Sequence, residues 1–290
     1  MYYFDSHTHY NDRRFREDLG EVLGKVRAAG VLRDTIIGYD PESSLLAVRM
    51  AEEQRSSGDG KDVSPAGPDA AYPKDAPLHT AAIGIHPLHT GDAEEEDLIR
   101  MEILAKDPAV VAIGEIGLDY YRKSPDMIID KERQQYFFRK QIRIARRAGL
   151  PVVIHSRNAA QDTIELMEEE KASEVGGVIH CFTYGSEMAK RFVGMGFCLG
   201  IGGVLTYPAS KKLKEVAGCI PLEHLVLETD CPYLSPEGHR GERNDSGGLK
   251  AVARALAELR GMPVEEVCRI TWENACRLYR IKGAAYPEGS

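Results

Sequence analysis

The sequence predicts a single-domain α/β protein built as a (β/α)8 barrel. Eight short apolar, β-rich runs alternate with amphipathic helical patterns along 290 residues, and such alternation implies parallel strands joined by helices. Five of the segments also end in residues able to bind a divalent metal: His7 and His9 in YYFDSHTH, Glu115 in VVAIGEIGLD, His155 in PVVIHSR, His180 in GGVIHCF and Asp230 in HLVLETD. An enzyme whose site lies at the C-terminal end of a parallel barrel presents this pattern, and the chain only slightly exceeds the roughly 250 residues typical of that fold. Eight repeats favour a closed barrel over an open doubly wound sheet.

In chain order the strand candidates are Tyr2 to Asp5, Thr35 to Tyr39, Ala81 to Ile85, Val110 to Ile113, Val152 to Ile154, Gly177 to Ile179, Phe197 to Ile201 and Leu225 to Leu227. Helical patterns occupy Phe15 to Ala29, Glu42 to Gln54, Lys131 to Ala148 with Gly149 as its stop, Ala159 to Glu169, Ser186 to Gly194 and Ala209 to Val216. Gly248 to Gly261 and Val264 to Tyr279 read as two further amphipathic helices packed outside the barrel. The segment Ser56 to Leu78, rich in proline and glycine and poor in large aliphatics, breaks the rhythm. It is expected to be a surface insertion at the N-terminal end of the third strand, dispensable for chemistry. The barrel is thus expected over 1–282, with the insertion at 56–78 inside it and a flexible tail at 283–290.

Composition narrows the function classes. A formal net charge of −8 argues against coating nucleic acid by bulk attraction, because non-specific binding of that kind depends on Lys and Arg neutralising phosphates. An anionic substrate must then be held locally. The N-terminus carries no basic and apolar leader, and no apolar stretch approaches the roughly 18 residues of a membrane span. The expectation is a cytoplasmic protein that engages no membrane and has no obligate protein partner. Six cysteines without a CxxC pair fit reduced thiols better than a disulfide framework. Cys181 and Cys231 adjoin ligand candidates and are expected to face away from them as packing residues.

His7 and His9, two apart on a strand, point the same way and are able to chelate one ion, with Asp5 expected on that face one layer below. Alone, such a pair is equally explained by half-buried histidines satisfied by hydrogen bonds. Glu115 follows a run that should be buried, where an unpaired carboxylate is costly; a metal or a neighbouring Arg or Lys would each remove the cost. His155, His180 and Asp230 are individually weak. Ligand-type residues at five strand ends of one barrel are not what packing alone produces.

The motifs FDSHTHY, GIHP, GEIGLDYY, PVVIHSR, VIHCF, LETDCPYL and RGERN together resemble the TatD-type deoxyribonuclease family of the amidohydrolase superfamily, in the family's order over nearly the whole chain. The resemblance implies a (β/α)8 barrel with two divalent cations. In it Glu115 looks like the bridging ligand, His7, His9 and Asp230 complete one site, and His155 and His180 the other. It further implies a magnesium-, manganese- or zinc-dependent DNase with 3′-to-5′ exonuclease activity on DNA ends or short oligonucleotides. Two departures stand out: Asp245 and Ser246 follow Arg243 and Asn244 where the family usually reads RNEP, in a loop expected to border the substrate, and HCFTYGS carries an added Tyr184.

Two cations roughly 3.5–4 Å apart lower the pKa of a shared water, hold a phosphate oxygen and stabilise the leaving oxygen. Four imidazoles and two acids leave Zn, Mn and Mg open. Asp230 and Glu115 are the candidate catalytic residues, Asp230 as general base or as ligand only. His86, Arg157 and Arg243 are candidate substrate contacts, since a guanidinium binds two phosphate oxygens. His89 is expected to be solvated, Asp5 and Asp119 to orient ligands, and Tyr120 or Tyr121 to stack on a base or pack in a loop. Besides a nuclease, the residues admit an amide or ester hydrolase using the same dinuclear site and a non-catalytic metal-binding scaffold.

Overall fold

The computed structural model describes residues 1–57, 78–124 and 127–287. Eight strands form one sheet in the order β1 to β8, each parallel to its chain neighbour. They are β1 (Tyr3–Thr8), β2 (Val31–Ile37), β3 (Leu78–Ile83), β4 (Val110–Asp119), β5 (Val152–Arg157), β6 (Gly177–Ile179), β7 (Phe197–Ile201) and β8 (Leu225–Leu227). The helices are α1 (Leu19–Ala28), α2 (Pro41–Ser57), α3 (Glu95–Leu104), α4 (Lys131–Ala148), α5 (Ala160–Glu169), α6 (Ser186–Gly194), α7 (Lys211–Cys219), α8 (Leu249–Arg260) and α9 (Val264–Leu278). α4 ends as expected at Gly149, whose φ of 67° is left-handed.

Strand and helix ends shift by up to several residues from the sequence expectation, as in β2 and β4, and three larger differences stand out. No helix was expected between the third and fourth strands, where α3 stands. It buries only Leu98 and Met101 and leaves Ile99 and Ile103 exposed, so its apolar face is too thin to read. Residues 56 and 57 belong to α2 and Leu78 opens β3; the rest of the expected insertion lies outside the described residues. Within the expected loose tail, Ala284 and Tyr286 make contacts with the body of the protein. Ala284 O accepts from Trp272 Nε1 at 2.9 Å, and the Tyr286 hydroxyl accepts from Tyr2 N at 3.0 Å.

Two apolar layers divide the interior. The larger lies between strands and surrounding helices. The smaller takes one residue from each strand, Phe4, Ile37, Ala82, Ala112, Val153, Val178, Cys198 and Val226, and adds Trp272, Ala275, Cys276, Leu278 and Tyr279. α9 therefore plugs the N-terminal end of the barrel instead of packing only outside. Trp272 and Tyr279 meet Phe4 with ring centroids 5.8 and 6.1 Å away, and the Tyr279 hydroxyl donates to Ser6 O at 2.6 Å.

One extra residue sits in β1 and one in β4, just before the predicted ligands. Asp5 pairs with Asp34 and Thr8 with Ile36, while Ile113 pairs with Val152 and Ile116 with Ile154, so three steps on one strand face two on its partner. A bulge of this kind reverses which face later side chains occupy. It lets both Phe4 and His7 project inward, and both Ala112 and Glu115. Asp5, expected beside His7 and His9, is thereby placed on the other face.

The barrel closes between β1 and β8. Ser6 Oγ donates to Leu227 O at 2.9 Å, Asp230 N to His7 O at 3.0 Å, and His9 N to Cys231 O at 2.8 Å. The buried Asp5 carboxylate fastens the same seam by accepting from Thr229 N at 3.0 Å and Thr229 Oγ1 at 2.6 Å. Asp5→Ala is expected to lower stability by about 2 kcal/mol or more, because each buried group left unsatisfied costs about 1–3 kcal/mol. Urea unfolding should show a lower midpoint at unchanged slope, with Asp5→Asn milder; an unchanged midpoint for Asp5→Ala would refute the staple.

Candidate active site

The C-terminal ends of the strands open into a cleft of about 820 Å³ that includes His9, His86, Glu115, His155, His180 and Asp230 in its lining. His7 lies just beneath, 1% exposed. His9 Nδ1 donates to Ile37 O at 3.0 Å, which in the neutral ring leaves the Nε2 lone pair facing the cleft. That nitrogen lies 3.2 Å from His7 Nε2, 3.2 Å from Asp230 Oδ1 and 4.0 Å from Glu115 Oε2. His7 Nε2 is 3.6 Å from Glu115 Oε2 and 3.7 Å from Asp230 Oδ1. Four donor atoms thus converge around one point.

The other Glu115 oxygen faces a second set. Oε1 lies 2.7 Å from His155 Nδ1, 3.6 Å from His86 Nε2 and 3.7 Å from His180 Nε2. One carboxylate therefore divides its two oxygens between two imidazole groups. His7 and His180 stack at 3.5 Å between centroids where the two groups meet. Asp230 adopts a left-handed φ of 56°, a conformation that Asp tolerates better than bulky residues do.

Two of the rings have an acid beside them. Asp119 Oδ2 lies 3.3 Å from His155 Nε2, as expected of an orienting acid. Glu228 lies 3.0 Å from His180 Nδ1 and accepts from Cys181 N at 2.7 Å. Gly200 makes room for it, since a β-carbon there would collide with the Glu228 carboxylate. Sequence reasoning passed over Glu228, although it is an acid directly following the apolar run of β8, two residues before Asp230.

Electrostatics bind these groups together. Burial opposes ionisation of Glu115, but His86, His180, His155 and His7 hold its carboxyl well below the usual range. Burial disfavours a charged His180, yet Glu228, Glu115 and Asp230 raise it to about 10. Burial lowers His86 to about 3. Burial likewise opposes charge on His9 and His155, but Asp230 raises the first, and Asp119 and Glu115 the second.

The residues fit divalent cations. Among the described residues, three groups bring ligand atoms within 4.8 Å of one another: His7, His9 and Asp230; His7, His180 and Glu228; and His86, Glu115 and His155. Buried His7 Nδ1, His180 Nδ1 and Glu228 Oε2 have no hydrogen-bond partner among the described residues, His180 Nδ1 meeting Glu228 only as an ion pair. A mixed imidazole and carboxylate set suits Zn or Mn well and tolerates Mg.

A family model described as TatD related DNase matches residues 70–280. The chain belongs to the TatD-related DNase family. It is 41% identical to YabD of Bacillus subtilis, named an uncharacterized metal-dependent hydrolase, over 96% of this chain and 99% of that one. The similarly named TatD of Mycobacterium tuberculosis is 32% identical over 96% and 97%. The crystal structure of YJJV, a TatD homolog from Escherichia coli, matches with a TM-score of 0.83 at 28% identity, covering 96% of this chain and 98% of that chain. The TatD-related assignment agrees with the sequence resemblance, and the eight-stranded barrel agrees with the expected fold.

Of the expected substrate contacts, His86 and Arg157 line the cleft. Arg243 does not. Its guanidinium pairs with both oxygens of Asp18, donates to Arg14 O and covers the Phe15 ring. The departing loop around it faces away too, with Asn244 Nδ2 donating to Thr229 O and Tyr233 O at 3.2 and 2.8 Å. Tyr184 packs, its hydroxyl 3.0 Å from Ser156 Oγ. Tyr120 packs against Asp162 and Gln135, while Tyr121 lies under the Arg157 guanidinium at 3.9 Å. Cys181, expected to face away, lines the cleft because its left-handed φ of 45° breaks strand alternation. His89 lines the mouth, with 45% of its side chain exposed.

Glu228→Gln is expected to weaken zinc or manganese binding about 10–100-fold, the usual cost of losing an orienting partner. Chelator competition measures it, with far-UV circular dichroism as the folding control; unchanged affinity would remove Glu228 from the site.

Proposed function

We propose that this metal-dependent hydrolase of the TatD-related DNase family cleaves phosphodiester bonds at DNA ends or in short oligonucleotides, as a 3′-to-5′ exonuclease with two divalent cations. Zn, Mn and Mg are the candidate ions. The observation that carries the reading is the division of Glu115 between two imidazole groups, with one oxygen toward His7 and His9 and the other toward His86, His155 and His180. By that division His7, His9 and Asp230 would hold one ion, His155 and His180 the other, and Glu115 both, with His86 beside the second group. Phosphate chemistry is further supported by Arg13, Lys123 and Arg157 on the cleft wall, none of which has an ion-pair partner among the described residues.

Cations bound there would acidify the attacking water and draw charge from the phosphate oxygens. The chain's own residues do the rest. The Asp230 carboxyl is kept below its ordinary range because His180, His9 and His7 outweigh the opposing effect of burial. It is therefore ready to take the proton of the attacking water as general base. Arg157, backed by Tyr121, is placed to pair with phosphate oxygens bidentately. Glu228 and Asp119 keep His180 and His155 turned toward the centre.

An end-labelled single-stranded DNA should shorten progressively from one end in the presence of manganese, and chelator should stop it. Asp230→Asn should slow cleavage about 10²–10⁴-fold, the range for loss of a general base. Intact DNA with metal-loaded protein would sink the nuclease reading and turn the search to amide and ester substrates.

A further inference from the structure

The two halves of the cleft are built for different chemical groups. On the His155 side the wall carries Arg157 and Lys123, which are cations without carboxylate partners among the described residues. On the His9 side it carries aromatic rings, together with Arg13 and the paired Arg14 and Asp12. Tyr39 and Tyr233 both meet the His9 ring edge-on, with centroids 5.7 and 6.2 Å away and interplanar angles of 65° and 80°, and both line the cleft.

Tyr233 is 46% exposed, yet it is held firmly. Its backbone N donates to Asp230 O at 2.8 Å, and the Arg14 guanidinium lies 4.1 Å from its ring centroid. Arg14 is itself clamped by Asp12, which accepts from Nε and Nη2 at 2.9 Å each and from Arg14 N at 2.8 Å. That double hydrogen bond neutralises the guanidinium and fixes its plane, so here Arg14 buttresses a ring more than it offers a free charge to phosphate. With His9 against it edge-on and its hydroxyl donating to Asp12 Oδ2 at 3.4 Å, the exposed remainder of the ring is left to the cleft. An exposed tyrosine, braced from behind and anchored to the backbone of the candidate base Asp230, is a stacking platform beside the reacting centre.

We infer that Tyr233, with Tyr39 beside it, forms a subsite that stacks the terminal nucleobase, while Arg157 and Lys123 on the opposite side hold the phosphates of the strand that continues out of the cleft. This rests on the phosphodiesterase reading above and adds what lies on either side of the bond to be cut. Base stacking on an aromatic ring contributes about 1–3 kcal/mol and tolerates any base. The subsite therefore selects for the presence of a terminal base and not for its identity.

The test compares a fluorescent tetranucleotide carrying a normal terminal nucleotide with one that is abasic there. Binding is followed by anisotropy on manganese-loaded Asp230→Asn protein; should wild type prove inert toward DNA, the same titrations are run on wild type. Removing the base is expected to weaken binding about 5–160-fold, the equilibrium equivalent of that stacking energy. Adding Tyr233→Leu should weaken binding of the normal oligonucleotide by a similar factor and abolish the discrimination, whereas Tyr233→Trp should preserve it. Arg157→Gln should weaken both oligonucleotides alike. Equal affinity for the two oligonucleotides before Tyr233 is changed, or discrimination that survives Tyr233→Leu, overturns the subsite, as does failure to bind either. Discrimination in binding by a wild type that never cleaves DNA would leave the subsite standing and defeat the nuclease reading instead.

Discussion

Closure of the barrel between its first and last strands is the constraint on which the site depends. His7 and His9 leave β1, Asp230 follows β8, and 221 residues separate His9 from Asp230 in the chain. Two backbone hydrogen bonds of 3.0 and 2.8 Å and the Asp5 carboxylate fix their relation. An open sheet would leave β1 and β8 as distant edges and one ligand group without its acid. The α9 plug serves the same closure from the other end. Its Trp272 and Tyr279 fill the interior below Phe4 and Ser6, so the seam is backed by apolar packing as well as hydrogen bonds. Burial of apolar surface contributes about 25 cal/mol per Å², and placing two aromatic residues there is an effective way to stop the strands splaying.

Within that frame the chain accepts an unfavourable element, a carboxylate 4% exposed at the barrel axis. Burying a lone charge costs several kcal/mol. Glu115 is tolerated because imidazoles approach both of its oxygens. Imidazoles can release protons to make room for cations, which lysine or arginine cannot do at ordinary pH. A structural salt bridge to Arg would have satisfied Glu115 permanently. Surrounding it with titratable, metal-ligating rings keeps the charge available, and this chemistry separates a binding centre from a buried ion pair.

Much of this arrangement was legible because apolar strands of a parallel barrel end abruptly. His155, His180 and Asp230 stand at the ends of runs such as PVVI and HLVL, and a polar residue at that point has few destinations except the site. What stayed hidden has physical causes. The bulges in β1 and β4 are read only from pairing with a neighbour, so simple alternation wrongly placed Asp5 beside His7. α3 shows too little apolar face, and α9 shows an amphipathic face without revealing that it meets the barrel's end. Arg243 has the right chemistry for phosphate, but Asp18, 225 positions away, claims it; long-range ion pairs leave no local signature. Tyr233 was invisible for the converse reason, since its importance lies in Arg14 and Asp12 behind it.

The placement of charge joins fold to function. The chain carries a formal net charge of −8, so a polyanion approaching most of its surface meets repulsion that is screened only beyond roughly 8–10 Å at physiological salt. Arg13, Lys123 and Arg157 stand on the cleft wall instead, where field from a few cations is focused by low-dielectric walls. A duplex running across such a molecule would place most of its phosphates against hostile surface. If the proposed function holds, a strand end entering the cleft would bring only a few phosphates to the local cations, with the rest trailing into solvent. On the proposed function, net charge and the unpaired cleft cations would work together: one disfavours the length of a nucleic acid, and the others meet its terminus.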